Sequence, residues 1–401
     1  MINNTQKTSP KWQVCNIGDI FDVTNGKTNT DDAVVGGQYP LFDRSVTIKQ
    51  SDKYLFDADA VIIPGEGKEF IPKYYNGKFD LHQRAYAIFP KKDTSVDTKY
   101  LYYWINYKKD YLIQKAVGST VKSLRLYMLT DFPLLLPSLD TQQKIATILS
   151  IIDQAIQKTD QIIEKTEKLK NGLMTELLTK GIGHTKFKKT KIGEIPEEWS
   201  IELLSSTDIK IIDGDRGINY PKKDEFQNSG YCLFLSTKNI INDTFNFRES
   251  IFITKEKDSL LRKGKLQKYD VILTTRGTVG NVGFFNDSVP YQNIRINSGM
   301  LIFRAGNSFD PQFLYFLMKS PLMKKTYSDL GSGSAQPQLP ISSLKNLQIA
   351  VPTIKEQQQI ASKLQLLDDK YNNEKDYKKY LLNLKNGLMS DIFSQKVEVG
   401  I

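Results

Sequence analysis

The sequence predicts an α+β chain in which two globular modules are separated by two long helices, packed as an antiparallel coiled coil with pseudo-two-fold symmetry. Three observations support this fold class. One stretch of the chain is repeated, both copies have the apolar spacing of a helix, and the remaining segments contain short apolar runs broken by Gly, Asn, Asp and Pro. A chain of 401 residues is long enough for two or three domains.

The repeat begins at Pro137 and again at Pro352, an offset of 352 − 137 = 215 residues. Of the 42 positions from 137 to 178, 13 are identical in the second copy, including a Gln-Gln-x-Ile-Ala block near the start and KNGLM near the end. Positions 154–168 share no residue with 369–383. The ends of the repeat are therefore constrained, whereas its centre is free to vary.

Apolar residues recur every three or four positions in both copies, which predicts two long helices. The other positions are polar, and this favours a seam between two helices over a fully buried helix. The predicted segments are a first globular domain at 1–140, a central helical spacer at 141–182, a second globular domain at 183–351 and a distal helical spacer at 352–396. Since domain termini usually lie close together, the helices that enter and leave the second domain should be antiparallel.

Two glycines occupy equivalent places inside the helical patterns, Gly172 in the first copy and Gly387 in the second. A glycine inside a helix costs about 1 kcal/mol relative to alanine, so its presence needs a reason. Either another backbone packs closely against the helix at this point, or the helix ends there. The sequence leaves both interpretations open.

The chain has 55 Lys and Arg against 45 Asp and Glu, and this net charge of +10 favours a polyanionic partner. Its apolar runs are far shorter than the ~20 residues of a membrane helix, and its first residues lack the apolar run of a secretion signal. We therefore expect a cytoplasmic protein. Two cysteines and two histidines leave few candidates for metal binding or histidine catalysis, and we predict no bound metal.

The sequence lacks the familiar catalytic motifs. It contains no Pro-Pro, which an Asn/Asp-Pro-Pro-aromatic methyltransferase motif requires, and Phe21 occupies the place of the first P-loop glycine before Gly26-Lys27-Thr28. Asp59, Glu66 and Lys68 could mimic the carboxylate–lysine set of a nuclease, although such spacings are common in a lysine-rich chain. We predict that the chain is not an enzyme by itself.

The segment IGEIPEEW (192–199) and the doubled Pro…Gln-Gln-x-Ile-Ala…KNGLM pattern resemble the specificity subunit of type I DNA restriction-modification systems. The blocks YCLFLSTKNI, YDVILTTRGTVGNVGFF and GSGSAQPQLPISSLKNLQIAVP are similar to the second target-recognition domain of that family. The resemblance covers essentially the whole chain. It implies that each globular domain reads one half of a split, asymmetric DNA target, while the helices set the gap between the halves.

The same resemblance implies the partners. Two methyltransferase subunits carrying S-adenosylmethionine would dock on the chain to form an N6-adenine methylase, and two ATP-dependent endonuclease subunits would complete the restriction enzyme. The chain itself should hold no cofactor, with S-adenosylmethionine, ATP and Mg²⁺ on the partner subunits.

Arg276, in the sequence RGTVGN, lies at a predicted hairpin turn, where Gly277 and Gly280 would let the backbone approach a phosphate. Arginine reads guanine and also binds phosphates, although a turn with a solvated arginine is the alternative. Further DNA contacts are predicted at Arg216, Lys238, Arg295, Gln336 and Gln338 in the second domain and at Arg44, Lys68, Arg84, Lys122 and Arg125 in the first.

Two other functions are compatible with parts of the pattern. The chain could be a protein-interaction scaffold built on a coiled coil, with both modules binding proteins. It could also be the targeting half of a single-chain restriction-methylase, which would require a fused catalytic region. The net charge, IGEIPEEW and the doubled helical motif favour the DNA specificity subunit.

Overall fold

The computed structural model describes residues 12–331, 338–397 and 399. The chain forms two compact units: unit 1 comprises Met1–Gln161 and Asp376–Ile401, and unit 2 comprises Ile162–Lys375. Among the described residues, no helix has both the length and the apolar character needed to cross a membrane. The same residues contain no group of three or more His, Cys, Asp or Glu side chains that could hold a metal ion.

Unit 1 is a mixed domain of strands and short helices followed by a long helix. Its elements are β1 (Gln13–Asn16), α1 (Ile17–Ile20), β2 (Phe21–Asn25), β3 (Tyr39–Phe42), β4 (Lys49–Ser51), β5 (Phe56–Pro64), β6 (Glu66–Gly67), β7 (Lys73–Leu81), β8 (Ala85–Pro90), α2 (Thr98–Tyr107), α3 (Lys109–Lys115), β9 (Lys122–Ser123), α4 (Leu126–Thr130) and β10 (Pro133–Leu136). The long helix α5 (Leu139–Lys180) begins in unit 1 and ends in unit 2.

Unit 2 has a similar order of elements. They are β11 (Phe187–Thr190), β12 (Gly193–Pro196), β13 (Ser200–Leu203), β14 (Lys210–Asp213), β15 (Cys232–Leu235), β16 (Ile240–Ile241), β17 (Thr244–Phe245), β18 (Phe252–Ile253), α6 (Lys255–Leu260), β19 (Val271–Thr274), β20 (Val282–Phe284), β21 (Ile294–Ile296), β22 (Met300–Arg304), α7 (Pro311–Lys319), α8 (Pro321–Gly331), α9 (Ile341–Lys345) and β23 (Gln348–Val351). The second long helix, α10 (Ile354–Phe393), begins in unit 2 and ends in unit 1.

The sheets of the two units share a common plan. In unit 1 the strand order is β2-β8-β5-β7-β3-β4, antiparallel except for the parallel pair β3–β7. In unit 2 the order β14-β22-β19-β20 repeats the arrangement of β2-β8-β5-β7, and the parallel pair β15–β21 repeats β3–β7. Asp80 belongs to β7 in the first parallel pair and Arg295 belongs to β21 in the second. The two residues are 295 − 80 = 215 positions apart, which is the offset of the helical repeat.

A buried glutamine fixes the start of each long helix to the neighbouring domain. The side-chain amide of Gln142 donates to the Pro137 carbonyl at 2.8 Å and accepts from the Asp97 backbone N–H at 2.9 Å. Gln357 makes the equivalent contacts with Pro352 at 3.0 Å and with Asp310 at 2.9 Å. Both glutamines are almost fully buried, and a buried amide needs such partners. This explains why the glutamine is identical in the two copies.

The identical apolar residues of the repeat complete the domain cores. In unit 1, Ile145 and Leu149 of α5 and Met389 of α10 are buried in one cluster with Trp104 of α2. In unit 2, Ile360, Leu364 and Met174 are buried in a cluster with the helix α7. Each core is therefore closed by the start of one long helix and the end of the other. Burial of such side chains contributes roughly 1.5–3 kcal/mol each.

The two long helices are antiparallel in each unit, which confirms the predicted packing. In unit 1, Lys385 contacts Asp153 at 2.6 Å and Lys378 contacts Asp160 at 2.5 Å, so the numbering rises along one helix as it falls along the other. In unit 2, Asp368 receives Lys170 at 3.0 Å. Asp153 and Asp368 are equivalent in the repeat, as are Lys170 and Lys385, so the two units use the same ion pair with the helices exchanged.

The repeated glycines do not end the helices, because α5 continues past Gly172 to Lys180 and α10 continues past Gly387 to Phe393. The interpretation as an early helix end is therefore wrong. A Cβ atom added at either glycine would meet no described atom within 4 Å. The other interpretation, close packing of a backbone, is not fulfilled by the described part of this chain.

Replacing Asp368 by asparagine should lower the free energy of unfolding by about 3 kcal/mol at pH 7, because two nearly buried lysines, Lys170 and Lys319, would lose their carboxylate partner. Burial alone would raise the pKa of Asp368, but Lys319 and Lys170 hold this pKa below its ordinary value. Its contribution is thus present above about pH 4 and is lost as the pH falls through the lowered value. Urea unfolding at several pH values measures this difference.

The exposed neighbour Asp369 provides the matched control, and Asp369→Asn should change the free energy of unfolding by less than about 0.5 kcal/mol. Equal losses for the two variants would contradict a stabilising role for the buried ion pair.

Candidate nucleic-acid interface

Five loop segments meet at one edge of unit 1, which we call edge 1: residues 26–38, 43–48, 65–72, 82–84 and 117–125. Backbone hydrogen bonds join three of them, since Gly65 N donates to Arg84 O at 2.8 Å and Leu124 N donates to Gly65 O at 2.8 Å. The amide of Gln83 donates to that of Asn29, which connects the first and fourth segments. Edge 1 is therefore a continuous surface built on the strand ends of one sheet.

All five residues predicted as DNA contacts in the first domain lie on edge 1. Arg44 and Arg84 both contact Glu66, at 3.3 Å and 2.9 Å. Lys122 on β9 pairs with Gly67 on β6, and Lys68 and Arg125 are exposed on the flanking loops. The structure thus brings together five cations that are up to 81 residues apart in the chain (125 − 44 = 81).

The turn at 82–84 is held by a neutral histidine. His82 is 7% exposed, and its Nδ1 accepts the backbone N–H of Arg84 at 3.0 Å. Burial lowers the pKa of His82, so its imidazole is uncharged near neutral pH. The turn therefore presents Gln83 and Arg84 to solvent from a fixed backbone.

The corresponding loops of unit 2 form edge 2: residues 214–221, 236–239, 275–281, 297–299 and 338–340. Thr275 N donates to Gly299 O at 2.8 Å, and Leu339 N donates to Thr275 O at 3.0 Å. These bonds repeat the Gly65–Arg84 and Leu124–Gly65 contacts of edge 1. The residue after Gly65 is Glu66 and the residue after Thr275 is Arg276, so Glu66 and Arg276 occupy equivalent places.

Arg276 is exposed in the loop that joins the antiparallel strands β19 and β20, as the sequence predicts. Gly277 beside it is exposed with φ +67°, and a Cβ added there would lie 3.2 Å from the Thr237 side chain. Gly280 also has positive φ, at +87°, but it is buried against Tyr327. Gly277 therefore lies where a phosphate could approach, whereas Gly280 serves the packing of the loop.

Three of the other residues predicted to contact DNA in the second domain also lie on edge 2. Arg216 is exposed on edge 2, where it contacts Asp213 at 3.1 Å and the Ser298 carbonyl at 3.2 Å. Lys238 is exposed beside Thr237, and Gln338 forms a β-bridge with Arg276. Gln336 lies outside the described residues.

Arg295 is buried on β21 instead of lying at the surface. Its Nε contacts Asp258, and its other nitrogens donate to the carbonyls of Lys263, Asp258 and Leu261 at 2.7–2.9 Å. Because the guanidinium is 5% exposed and occupied by these partners, we assign Arg295 a structural role instead of the predicted DNA contact. Its partner Asp258 is 37 residues away in the chain, so no local pattern indicates this pair.

The carboxylates of the nuclease-like set have different neighbours. Glu66 contacts Arg44 and Arg84, whereas Asp59 lies on β5, where it is paired with Asn76 of β7. Among the described residues, these contacts do not build the cation site that a nuclease requires.

Both edges can bind DNA by ordinary protein–DNA chemistry. Exposed Arg and Lys side chains contact phosphates, and a guanidinium or a Gln or Asn amide can donate to base edges in a groove. Sequence reasoning missed Asn29, Gln83, Asp213 and Thr237, which lie among the predicted cations, and it considered Glu66 only as part of a nuclease-like set. The signal for Glu66 was present, because AVIIPGEG (60–67) aligns with DVILTTRG (270–277) and places Glu66 opposite Arg276.

Comparison with known proteins gives consistent matches. A family model described as "Type I restriction modification DNA specificity domain" matches residues 10–168 and 208–383. The type I restriction enzyme MjaVIII specificity subunit of Methanocaldococcus jannaschii is 27% identical over 411 residues, covering 97% of this chain and 93% of the relative. The EcoDI specificity subunit of Escherichia coli is 21% identical over 379 residues, covering 89% and 81%.

The fold is also similar to solved structures. The S subunit of a type I restriction-modification system from M. genitalium aligns with a TM-score of 0.66 at 16% identity, covering 97% of both chains. A chain from a study of complex assembly and conformational transition of the type I R-M system aligns with a TM-score of 0.57 at 14% identity, covering 96% and 98%.

Substitution of a buried arginine and of an exposed arginine should differ in the effect on the free energy of unfolding. Arg295→Ala leaves Lys265 as the charged partner of Asp258 and removes the donor from three backbone carbonyls, and it should lower the free energy of unfolding by about 3 kcal/mol. Arg276→Ala removes an exposed side chain and should change it by less than about 0.5 kcal/mol. Urea unfolding measures both, and a comparable loss for Arg276→Ala would show that this residue is structural.

Proposed function

Because the chain belongs to the type I restriction-modification DNA specificity family, we propose that its two units each read one half of a split, asymmetric DNA target. The chain is a specificity subunit, and members of this family recognise DNA target sequences. In this proposal, edge 1 contacts the first half-site and edge 2 contacts the second.

The observation that carries the proposal is the equivalence of the two edges. Both are formed by loops at the same strand ends, joined by the same backbone hydrogen bonds, and both display exposed cations. The side chains at equivalent places nevertheless differ, as Glu66 and Arg276 do. A shared scaffold with different side chains suits two domains that bind one polymer and read different sequences.

The proposal extends to partner subunits, because the long helices carry two equivalent exposed surfaces. Unit 1 exposes Ile151, Leu384 and Gly387 along its helix pair, and unit 2 exposes the repeat counterparts, Leu366, Leu169 and Gly172. Three of the four apolar side chains are 58–68% exposed, and Leu384 is 37% exposed. We propose that a helix of one methyltransferase subunit docks on each surface, which gives two such subunits per chain.

The remaining components belong to the partners in this proposal. Two restriction subunits would supply ATP-dependent endonuclease activity, and S-adenosylmethionine, ATP and Mg²⁺ would bind to partner subunits instead of to this chain. Adenine N6-methylation would also be a property of the complex, which would act on DNA in the cytoplasm.

Substituting Arg84 or Arg276 by alanine should weaken binding of the intact complex to its target about tenfold, because each variant loses a charged contact on one edge. Discrimination should be relaxed in one half-site only, and in a different half for each variant. Binding to duplexes with single-base changes, together with methylation mapping, measures both effects.

Lys325→Ala serves as the charge control, since Lys325 is exposed on α8 and lies outside the segments that form edge 2. It should retain wild-type binding. If Arg84→Ala and Arg276→Ala relaxed the same half-site, the assignment of one half to each unit would be wrong.

Gly387→Ala should stabilise the isolated chain by about 1 kcal/mol, because alanine favours the helix and its Cβ meets no described atom within 4 Å. The same Cβ should weaken assembly with the methyltransferase subunit by about tenfold if a partner backbone packs against the glycine. Thermal unfolding and sedimentation of the mixed subunits give the two quantities.

Asn373→Ala is the control, since it also improves helix propensity at an exposed position, in the part of α10 that differs between repeats. It should stabilise the chain without weakening assembly. Unchanged assembly of Gly387→Ala would place the methyltransferase elsewhere.

A further inference from the structure

We propose that Glu66 is a positioning residue for DNA reading by the first recognition domain: it orients Arg44 and Arg84 on edge 1 and thereby limits how they contact DNA. This inference rests on the proposed function and identifies a determinant of specificity within that surface.

The geometry joins one carboxylate to two arginines. Nη1 of Arg84 lies 2.9 Å and 3.0 Å from the two carboxylate oxygens of Glu66, and Nη1 of Arg44 lies 3.3 Å from one of them. These contacts use one nitrogen of each guanidinium, which has three. Each guanidinium is therefore anchored at one corner and can present its other N–H groups to a ligand.

The exposed fractions of the three side chains show that the arginines, and not the glutamate, are accessible to a ligand. The side chains of Arg44 and Arg84 are 57% and 58% exposed, whereas that of Glu66 is 18% exposed. An open carboxylate at this place would repel the phosphates of DNA. Because Glu66 is less exposed than the two arginines that contact it, its charge is partly screened from a ligand, while the two ion pairs limit the positions of the guanidinium groups.

The loop around Glu66 is built to hold it there. A Cβ at Gly65 would lie 2.5 Å from the Arg84 carbonyl oxygen, so only glycine permits this approach of the two loops. Gly67 has φ +144°, and β6 pairs with β9, where Glu66 lies opposite Ser123. Backbone contacts on both sides thus fix the main chain from which the Glu66 side chain projects.

A similar arrangement occurs on edge 2 with a different acid. Asp213, whose side chain is 22% exposed, contacts Arg216, whose side chain is 47% exposed, at 3.1 Å. The Ser298 carbonyl holds the same guanidinium at 3.2 Å. In both domains a partly buried carboxylate therefore restrains an exposed arginine, although the acids lie on strands that are not equivalent, β6 and β14.

A restrained arginine and a free arginine bind DNA differently. A free side chain can follow any phosphate, whereas an oriented guanidinium reaches base-edge acceptors only in one register. Neutralising Glu66 should therefore produce two opposite changes: tighter binding to DNA of any sequence and poorer discrimination of the target. Simple damage to the fold would weaken binding to both.

The test uses Glu66→Gln in the complete chain assembled with its methyltransferase subunit. Affinity is measured for a duplex containing the target, identified by methylation mapping, and for a duplex with the first half-site scrambled. We expect binding to the scrambled duplex to rise about twofold to threefold, since one repulsive charge is removed. We expect the ratio of the two affinities to fall about tenfold, because an oriented contact to a base edge is lost.

Two comparisons separate positioning from other roles. Asp110→Asn removes the same charge from an exposed site on α3 and should leave the ratio unchanged. In an Arg44→Ala/Arg84→Ala background, Glu66→Gln should have no further effect on the ratio, because there is no arginine left to orient.

A further fall of the ratio in that background would mean that Glu66 itself reads a base and would overturn the inference. An unchanged ratio for Glu66→Gln in the otherwise wild-type chain would overturn it as well. If the wild-type complex did not distinguish the two duplexes, the proposed function would fail and this inference with it.

Discussion

Each recognition domain completes its core with the start of one long helix and the end of the other, and this shared burial constrains the rest of the molecule. Ile145 and Leu149 enter the core of unit 1 with Met389, and Ile360 and Leu364 enter that of unit 2 with Met174. Neither domain can bury its apolar surface fully without both helices. The identities between the repeats therefore lie at the helix ends, and the centre of each helix, which closes no core, diverges.

In each domain, the backbone contacts that hold the edge loops are also distinct from the side chains that are proposed to contact DNA. Strands β5 and β19 are buried at equivalent positions, and the loops that follow them are joined to their neighbours by the same backbone hydrogen bonds. Because backbone contacts hold these loops, the side chain at any one place is free to change. Glu66 and Arg276 illustrate this freedom, since they carry opposite charges at equivalent places in loops of similar construction.

Much of this arrangement was predictable because it repeats. The doubled motif determined the number of helices, and their antiparallel course followed from the proximity of domain termini. Most predicted cations lie on the two edges because Lys and Arg in loops and turns are commonly exposed. The burial of Arg295 was not predictable, because its partner Asp258 is distant in the chain and the alternating apolar residues around it do not reveal a buried ion pair. The contact of Glu66 with Arg44 and Arg84 was not predictable either, because the two arginines are 22 and 18 residues away.

The reciprocal ion pairs have a consequence for the origin of the chain. One copy of the helix carries both members of the pair, Asp153 and Lys170, 170 − 153 = 17 residues apart, and each binds the opposite member in the other copy. Such a surface is self-complementary, as in an isologous dimer. A protein of half this length could have formed the same helix pair from two identical chains, and gene duplication with fusion would then have allowed the two halves to evolve separate specificities.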